Sequence, residues 1–207
     1  MARKPLTKPR KHATQGRSRA TVDALIEATA RILVTDGFDK ASTNRIAEKA
    51  GVSVGSLYQY FPGKEALFTA VMKRHSQELM QVVRSALAEA EALPMEQAVR
   101  TIVAAAIEAH RIDPKLHRVL AEQISRTGRL ENAGVLDGET YALFRTFLEG
   151  RCNEFRPVDL ELAAFVCVTS IEALTHTAVV HHSESLSDEA FGALIDEATR
   201  LVVRYLQ

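Results

Sequence analysis

From Val22 to Leu206 the apolar side chains recur every three or four positions, and no stretch shows the alternation of a half-buried strand. That spacing narrows the fold more than any other feature, because each stretch can hide its apolar stripe only as a helix packed on other helices. The first stretch carries Val22, Leu25, Ile26, Ile32 and Leu33 and is closed by Gly37. Ser42 and Thr43 are good N-caps for a short helix with Ile46, Ala47 and Ala50 inward, and Gly51 ends it. Ser53 caps a second short helix carrying Leu57 and Phe61, which Pro62-Gly63 breaks. A long helix follows with Leu67, Phe68, Val71, Met72, Leu79, Val82, Val83 and Leu87 on one stripe, and Pro94 marks its end.

The remainder predicts about five more helical stretches. One carries Val99, Ile102, Val103, Ala106 and Ile107; Asp113-Pro114 opens another, with proline at the first helical position. Residues 127–138 contain three glycines and are expected to form a loop, before a helix near 139–154. Pro157 and Asp159 open the most apolar stretch, 160–180, and Ser187 caps the last helix. There is no repeat of fixed period and no extended low-complexity run. The fold class is all-α.

Composition sets the protein class. The chain has 207 residues, 46% of them apolar, enough for one medium domain or two small ones without a covalent staple. Two cysteines, Cys152 and Cys167, exclude a disulfide-rich scaffold, and buried, inert thiols are expected. No apolar run approaches the roughly 20 residues that cross a bilayer, and the basic N-terminus lacks the apolar core of a secretory signal. A cytoplasmic protein without a membrane partner is expected. The formal net charge of zero conceals a split: residues 1–75 carry 14 Lys/Arg against 6 Asp/Glu, and residues 76–207 carry 12 against 20. Seven cations and no acid fall within the first 20 residues: Arg3, Lys4, Lys8, Arg10, Lys11, Arg17 and Arg19. Residues 1–16, with Pro5, Pro9 and Gly16, are expected to be a flexible basic arm that follows phosphates, or else a solvated tail.

The segment 42–64 carries the chemistry. Two short helices meet at a tight turn, with Ala47 small at their approach and Gly51 free to take positive φ. That is helix-turn-helix spacing, in which the second helix enters the major groove, although an ordinary helical hairpin shares it. Tyr58 and Tyr60 bring hydroxyls able to reach phosphate oxygens, and Lys64 and Thr43 sit at helix starts, where the dipole favours an anion. Phe61 is expected in the core.

Residues 21–68 resemble the DNA-binding domain of the TetR family of transcription regulators. The resemblance rests on Ala28 to Gly37-Phe38, Thr43 to Ile46-Ala47, Ala50-Gly51-Val52-Ser53, Gly55-Ser56-Leu57-Tyr58, Tyr60-Phe61, Lys64-Glu65 and Leu67. It implies three parts: the arm at 1–16, a three-helix DNA-binding domain at 17–68, and a helical regulatory and dimerisation domain at 69–207. It also implies a homodimer on a palindromic double-stranded operator, most simply a repressor released by a small-molecule effector. Thr43, Tyr58 and Lys64 would hold phosphates, with Arg45 beside them. Asn44, Val54, Gly55, Ser56 and Gln59 fall where the family reads base edges, Ser53 opens that surface, and Tyr60 suits either task. Arg17 and Arg19, at the start of the first helix, join the set. The recognition segment 53–61 has no Lys or Arg, so the bidentate guanine reader is missing, while Gln59 suits adenine.

In the remainder, 160–180 is apolar on nearly every face and 188–206 has a similar stripe, so the two are expected to form a four-helix dimer interface, the alternative being a central helix of a monomeric bundle. His110, His117, Gln123, Phe144, Phe147 and His176 are candidates to line an effector cavity. His181 and His182 beside His176 hint at a metal, but adjacent helical residues point about 100° apart, so no metal site and no cofactor are expected. The alternative is a helical-bundle enzyme or small-molecule carrier without DNA binding. Against it, no Glu-x-x-His pair recurs on facing helices, and no nucleophile elbow or phosphate loop is present.

Overall fold

The computed structural model describes residues 16–127, 133–182 and 187–207. Among the described residues there are nine helices and no strand. The predicted basic arm, apart from Gly16, lies outside them. Gly16 itself opens a helix rather than ending the arm.

By their packing the described residues divide into two compact units, one of residues 16–76 with 118–123, the other of 77–117, 124–127 and the rest of the chain. Four helices begin in the first unit: α1 (Gly16–Lys40), α2 (Thr43–Lys49), α3 (Val54–Tyr60) and α4 (Lys64–Ala90). α1 loses its helical geometry at Gly37, where φ is 78° and ψ 170°, so the predicted end appears as a kink followed by one further turn. Ser42 caps α2 by accepting the Arg45 amide, and Ser53 caps α3 by accepting the Ser56 amide. Each such cap is worth about 1 kcal/mol over alanine. Gly51 turns the corner at φ 67°, which no residue with a Cβ takes without strain. The core of this unit joins Leu25, Ala28 and Ile32 of α1 to Ile46 and Ala47 of α2, Leu57 and Tyr60 of α3, Phe61, and Leu67 of α4. α4 runs unbroken through position 68, the predicted domain boundary, and passes residues 64–76 to the first unit and 77–90 to the second.

The second unit adds α5 (Met95–Arg111), α6 (Pro114–Thr127, of which 118–123 belong to the first unit), α7 (Ala133–Glu149), α8 (Leu160–His182) and α9 (Asp188–Leu206). Asp113 accepts the Leu116 amide at 2.9 Å, Asp159 those of Glu161 and Leu162 at 2.9 and 3.1 Å, and Ser187 that of Ala190 at 3.2 Å. All three caps stand where the sequence placed them. The expected loop at 127–138 is corrected: α6 extends to Thr127, α7 begins at Ala133, and the part at 128–132 lies outside the described residues. α7 packs on α8, and α5 packs on both α8 and α9, around a core of Val99, Val103, Phe144, Leu148, Ala163, Ala164, Cys167 and Val202.

Three further expectations change. α8 is long and apolar enough to cross a membrane, with mean hydropathy 1.6 over Leu160–Val180. The sequence missed it because Glu161 and Glu172 interrupt the run without lowering the average below that level. Half of that window is buried inside the protein, as in a core helix. The helix is not buried on every face, however: Leu162, Phe165 and Leu174 are exposed. Cys167 is buried and its thiol is pushed up to about 12 by desolvation, whereas Cys152 is exposed, contrary to expectation.

Candidate nucleic-acid interface

The outer face of α2 and α3 follows from the residues that face inward. Leu57, Tyr60 and Phe61 are sealed in the core, so Tyr58 and Gln59 between them point outward. Tyr58 and Gln59 are exposed, as are Asn44 and Gly55; Ser56 and Thr43 are half-buried. The Tyr58 hydroxyl lies 3.1 Å from Thr43 Oγ1, joining α3 to the start of α2 through a polar pair at the surface. Ser53 Oγ lies 2.8 Å from Ser56 Oγ, so both hydroxyls are engaged in holding the first turn of α3. Val54 is half-buried against the core of the unit.

Three predicted contacts are placed differently. Tyr60 is only 8% exposed and belongs to the core. It stands three residues after Leu57 and so shares its inward face. Arg45 donates to Asp36 at 2.9 Å and to the Lys40 carbonyl at 3.2 Å, which ties it to the corner after the Gly37 kink while its guanidinium stays exposed with further donors. Lys64 donates to the Phe38 carbonyl at 3.2 Å, with its ammonium 4.5 Å over the Phe38 ring. One of its three donors is thereby used, and the charge is held at a fixed place. Arg19 is exposed on the first turns of α1. Arg17 lies on the same turns, but its side chain lies outside the described residues.

The second unit holds a small cavity of about 50 Å³ lined by Val83, Leu87, Ile102, Ala106, Thr140, Phe144, Val168, Ile171 and Glu172. Of the six predicted cavity residues only Phe144 is in its wall. Phe147 packs in the surrounding core. Gln123 is buried in the segment that belongs to the first unit. The three histidines converge elsewhere: His117 Nε2 is 2.9 Å from His176 Nδ1, and the His110 ring lies edge-on to both. His110 Nδ1 is 2.6 Å from the Ala106 carbonyl and its Nε2 is 3.1 Å from Glu172 Oε1. Burial works against a charge on His110, but the hydrogen bond and charge of Glu172 and the Ala106 carbonyl outweigh it and raise its pKa. Desolvation works to raise Glu172 in turn, and the bond from His110 with the charges of all three imidazoles lowers it. Glu172, which touches both the cavity and the cluster, was missed. Its sequence signal was an acid in the middle of an apolar helix.

A short exposed helix carried on a three-helix core, entered through a glycine turn and faced with tyrosine, glutamine and small side chains, defines a DNA-binding helix-turn-helix protein. Residues 25–71 match the profile of the bacterial regulatory proteins of the tetR family, and residues 94–206 match that of tetracyclin repressor-like C-terminal domains. The chain belongs to the TetR family of transcription regulators. That membership sets aside the enzyme or carrier alternative. Among its relatives, the nucleoid occlusion factor SlmA of Haemophilus ducreyi is 30% identical over 116 residues, 56% of this chain and 55% of that protein. The transcriptional activator FasR of Mycolicibacterium smegmatis is 41% identical over 63 residues, 30% of this chain and 29% of that protein. The chain thus spans about half the length of SlmA and less of FasR. Two solved structures share the fold. The fatty acid degradation regulator FadR of Bacillus halodurans aligns with TM-score 0.70 at 20% identity, over 95% of this chain and 98% of that one. A TetR-like regulator from Rhodococcus sp. RHA1 aligns with TM-score 0.63 at 20% identity, over 93% and 99%.

Proposed function

We propose that the protein is a cytoplasmic transcriptional repressor that binds a palindromic operator as a homodimer and leaves it when a small molecule enters the second unit. The observation that carries this reading is the outer face of α3, where Tyr58, paired with Thr43, and Gln59 are offered outward while Leu57 and Tyr60 anchor the helix beneath them. In a major groove the Tyr58–Thr43 pair and the two remaining donors of Lys64 hold phosphates, and Gln59 and Asn44 read base edges, with Gln59 suited to adenine. Val54 and Gly55 let the helix approach closely. Arg17 and Arg19, with the basic segment before them, add contacts that carry no sequence information.

Dimerisation is supported by apolar side chains that one chain leaves in water. Leu162, Phe165 and Leu174 on α8 and Leu201 on α9 are exposed, and a second copy of the same surface would cover them. Effector control is supported by the cavity. At about 50 Å³ it is far smaller than the roughly 300 Å³ or more of an ordinary ligand site, so entry of a ligand must part its walls. Val83 and Leu87 in those walls belong to α4, whose first turns belong to the DNA-binding unit. The lining favours an apolar effector with one group that bonds Glu172 or Thr140.

The test is transcription in vitro from promoters recovered by binding to genomic fragments. A repressor lowers transcript yield from those promoters, and a compound that relieves the block is the effector. A rise in yield, the behaviour that the name of FasR describes for that relative, would overturn the repressor reading while leaving DNA binding intact.

A further inference from the structure

The metal hint in the sequence falls on His181 and His182, whose side chains lie outside the described residues. The fold assembles a different set. His110 comes from the last turn of α5, His117 from the first turn of α6 and His176 from α8, and one ring nitrogen of each lies within 4.8 Å of the other two. From the spacing of these residues in the chain no such trio is visible, because α8 supplies its member from 59 positions away.

We propose that His110, His117 and His176 form a binding site for a divalent transition cation of the zinc class. A tetrahedral ion bound to imidazole at about 2.0 Å separates its ligand atoms by about 3.3 Å. Two pairs already stand near that edge length: His117 Nε2 with His176 Nδ1 at 2.9 Å, and His110 Nε2 with Glu172 Oε1 at 3.1 Å. In the metal-free protein, protons hold both pairs together; an ion of this class takes their place and releases them. The Ala106 carbonyl, 2.6 Å from His110 Nδ1, fixes the proton on that nitrogen and leaves Nε2 as the donor, which is the usual backbone support of a ligating histidine. Glu172, bonded to His110 but outside the trio, brings a carboxylate that can approach as the fourth ligand and offsets part of the ion's charge. Three imidazoles and one carboxylate suit zinc, cobalt or nickel, and disfavour calcium and magnesium, which take oxygen ligands. His110 is buried and the other two rings are half-buried, while the Glu172 side chain is 53% exposed, so the site opens to solvent on the Glu172 side. The edge that spans up to 4.8 Å closes by side-chain rotation of the half-buried rings.

This inference stands apart from the DNA-binding reading, and its test uses no DNA. The full chain, stripped with chelator and free of any affinity tag, is titrated with zinc chloride against a chromophoric chelator, and with cobalt(II) chloride while visible absorption is recorded. The expected result is one ion per chain in competition with the chelator, with the intense visible bands of tetrahedral cobalt. His117→Asn and His176→Asn, chosen because these rings are half-buried, should each weaken zinc by more than about tenfold with helical circular dichroism unchanged. A His181→Ala/His182→Ala chain should bind as the parent does. No saturable binding, or zinc held by the His181→Ala/His182→Ala pair of positions so that only that variant loses it, would overturn the proposal. Should either single asparagine variant fail to fold, the cobalt spectrum of the parent decides: six-coordinate, weakly absorbing cobalt overturns the site.

Discussion

Arg151 shows how one residue can fix the end of an element. Its side chain is buried, and Nη2 lies 2.8 Å from the carbonyls of Ala90 and Glu91 and 2.7 Å from that of Leu93, while Nη1 bonds Glu154 at 3.2 Å. The Ala90 carbonyl closes α4 and also accepts the Leu93 amide at 3.1 Å, while the Glu91 and Leu93 carbonyls lie in the turn that follows. Replacing Arg151 by alanine is expected to cost about 2–4 kcal/mol, because it removes a buried guanidinium that donates to three carbonyls and lies over the Phe147 ring. Urea unfolding followed by circular dichroism measures it, and a loss under about 0.5 kcal/mol, the scale of an ordinary surface change, would show that water replaces the guanidinium. Nothing in the sequence singles out this arginine, since a charge after an apolar helix reads as solvent-facing. Tyr60 is the opposite case. Its place three residues after Leu57 already put it inside, but its hydroxyl drew it into the contact set. Tyr58 and Gln59 were legible because they fall between two inward positions. For them the expectation is specific: Tyr58→Phe should weaken binding to every duplex by a similar factor, and Gln59→Ala should change preference at one operator position. Binding titrations on a set of single-base operator variants separate the two, and an unchanged preference profile for Gln59→Ala would remove it from base reading.

At the scale of elements, α8 carries the most informative departure. Periodicity showed an apolar helix but could not say which face met the rest of the chain. The structure divides it: Ala164 is in the core at 2% exposure, and its neighbour Phe165 is 53% exposed. A charge at Ala164 therefore tests the fold of the chain and not its pairing. Phe165→Glu should leave helical content intact, shift the sedimenting species from dimer to monomer, and lower operator affinity. A variant that remains dimeric would contradict the placement of the interface on α8. α7 teaches a second limit. Gly134 and Gly138 weaken a helix by about 1 kcal/mol each relative to alanine, which is why 127–138 read as a loop. Packing of α7 on α8 outweighs that local preference. The caps at Ser42, Ser53, Asp159 and Ser187 were legible because capping is local chemistry within four residues.

At the scale of the molecule, charge is split along the chain. The first 75 residues hold the basic excess and the remainder the acidic one, and the acidic part adds no attraction to a duplex. Operator affinity should fall steeply with salt, with a slope of about 0.9 per phosphate neutralised. Removing residues 2–16 takes away five cations and should flatten that slope; an unchanged slope would make the segment a bystander. The helical class, the DNA-binding unit and the charge split could all be read from order along the chain. The cavity wall and the histidine cluster could not, because each gathers residues from three or more helices far apart in sequence.

The central claim is that α3 reads a duplex as one of a symmetric pair. Selection of bound duplexes from a random pool by the full chain, beside a Tyr58→Ala/Gln59→Ala chain, tests it most directly. Recovery of a two-fold symmetric sequence whose half-site centres lie one duplex turn or a multiple apart, about 34–36 Å per turn, is expected, with no enrichment by the double variant. A pool in which no shared sequence emerges, or one in which the double variant recovers the same sequence as the parent, would contradict it.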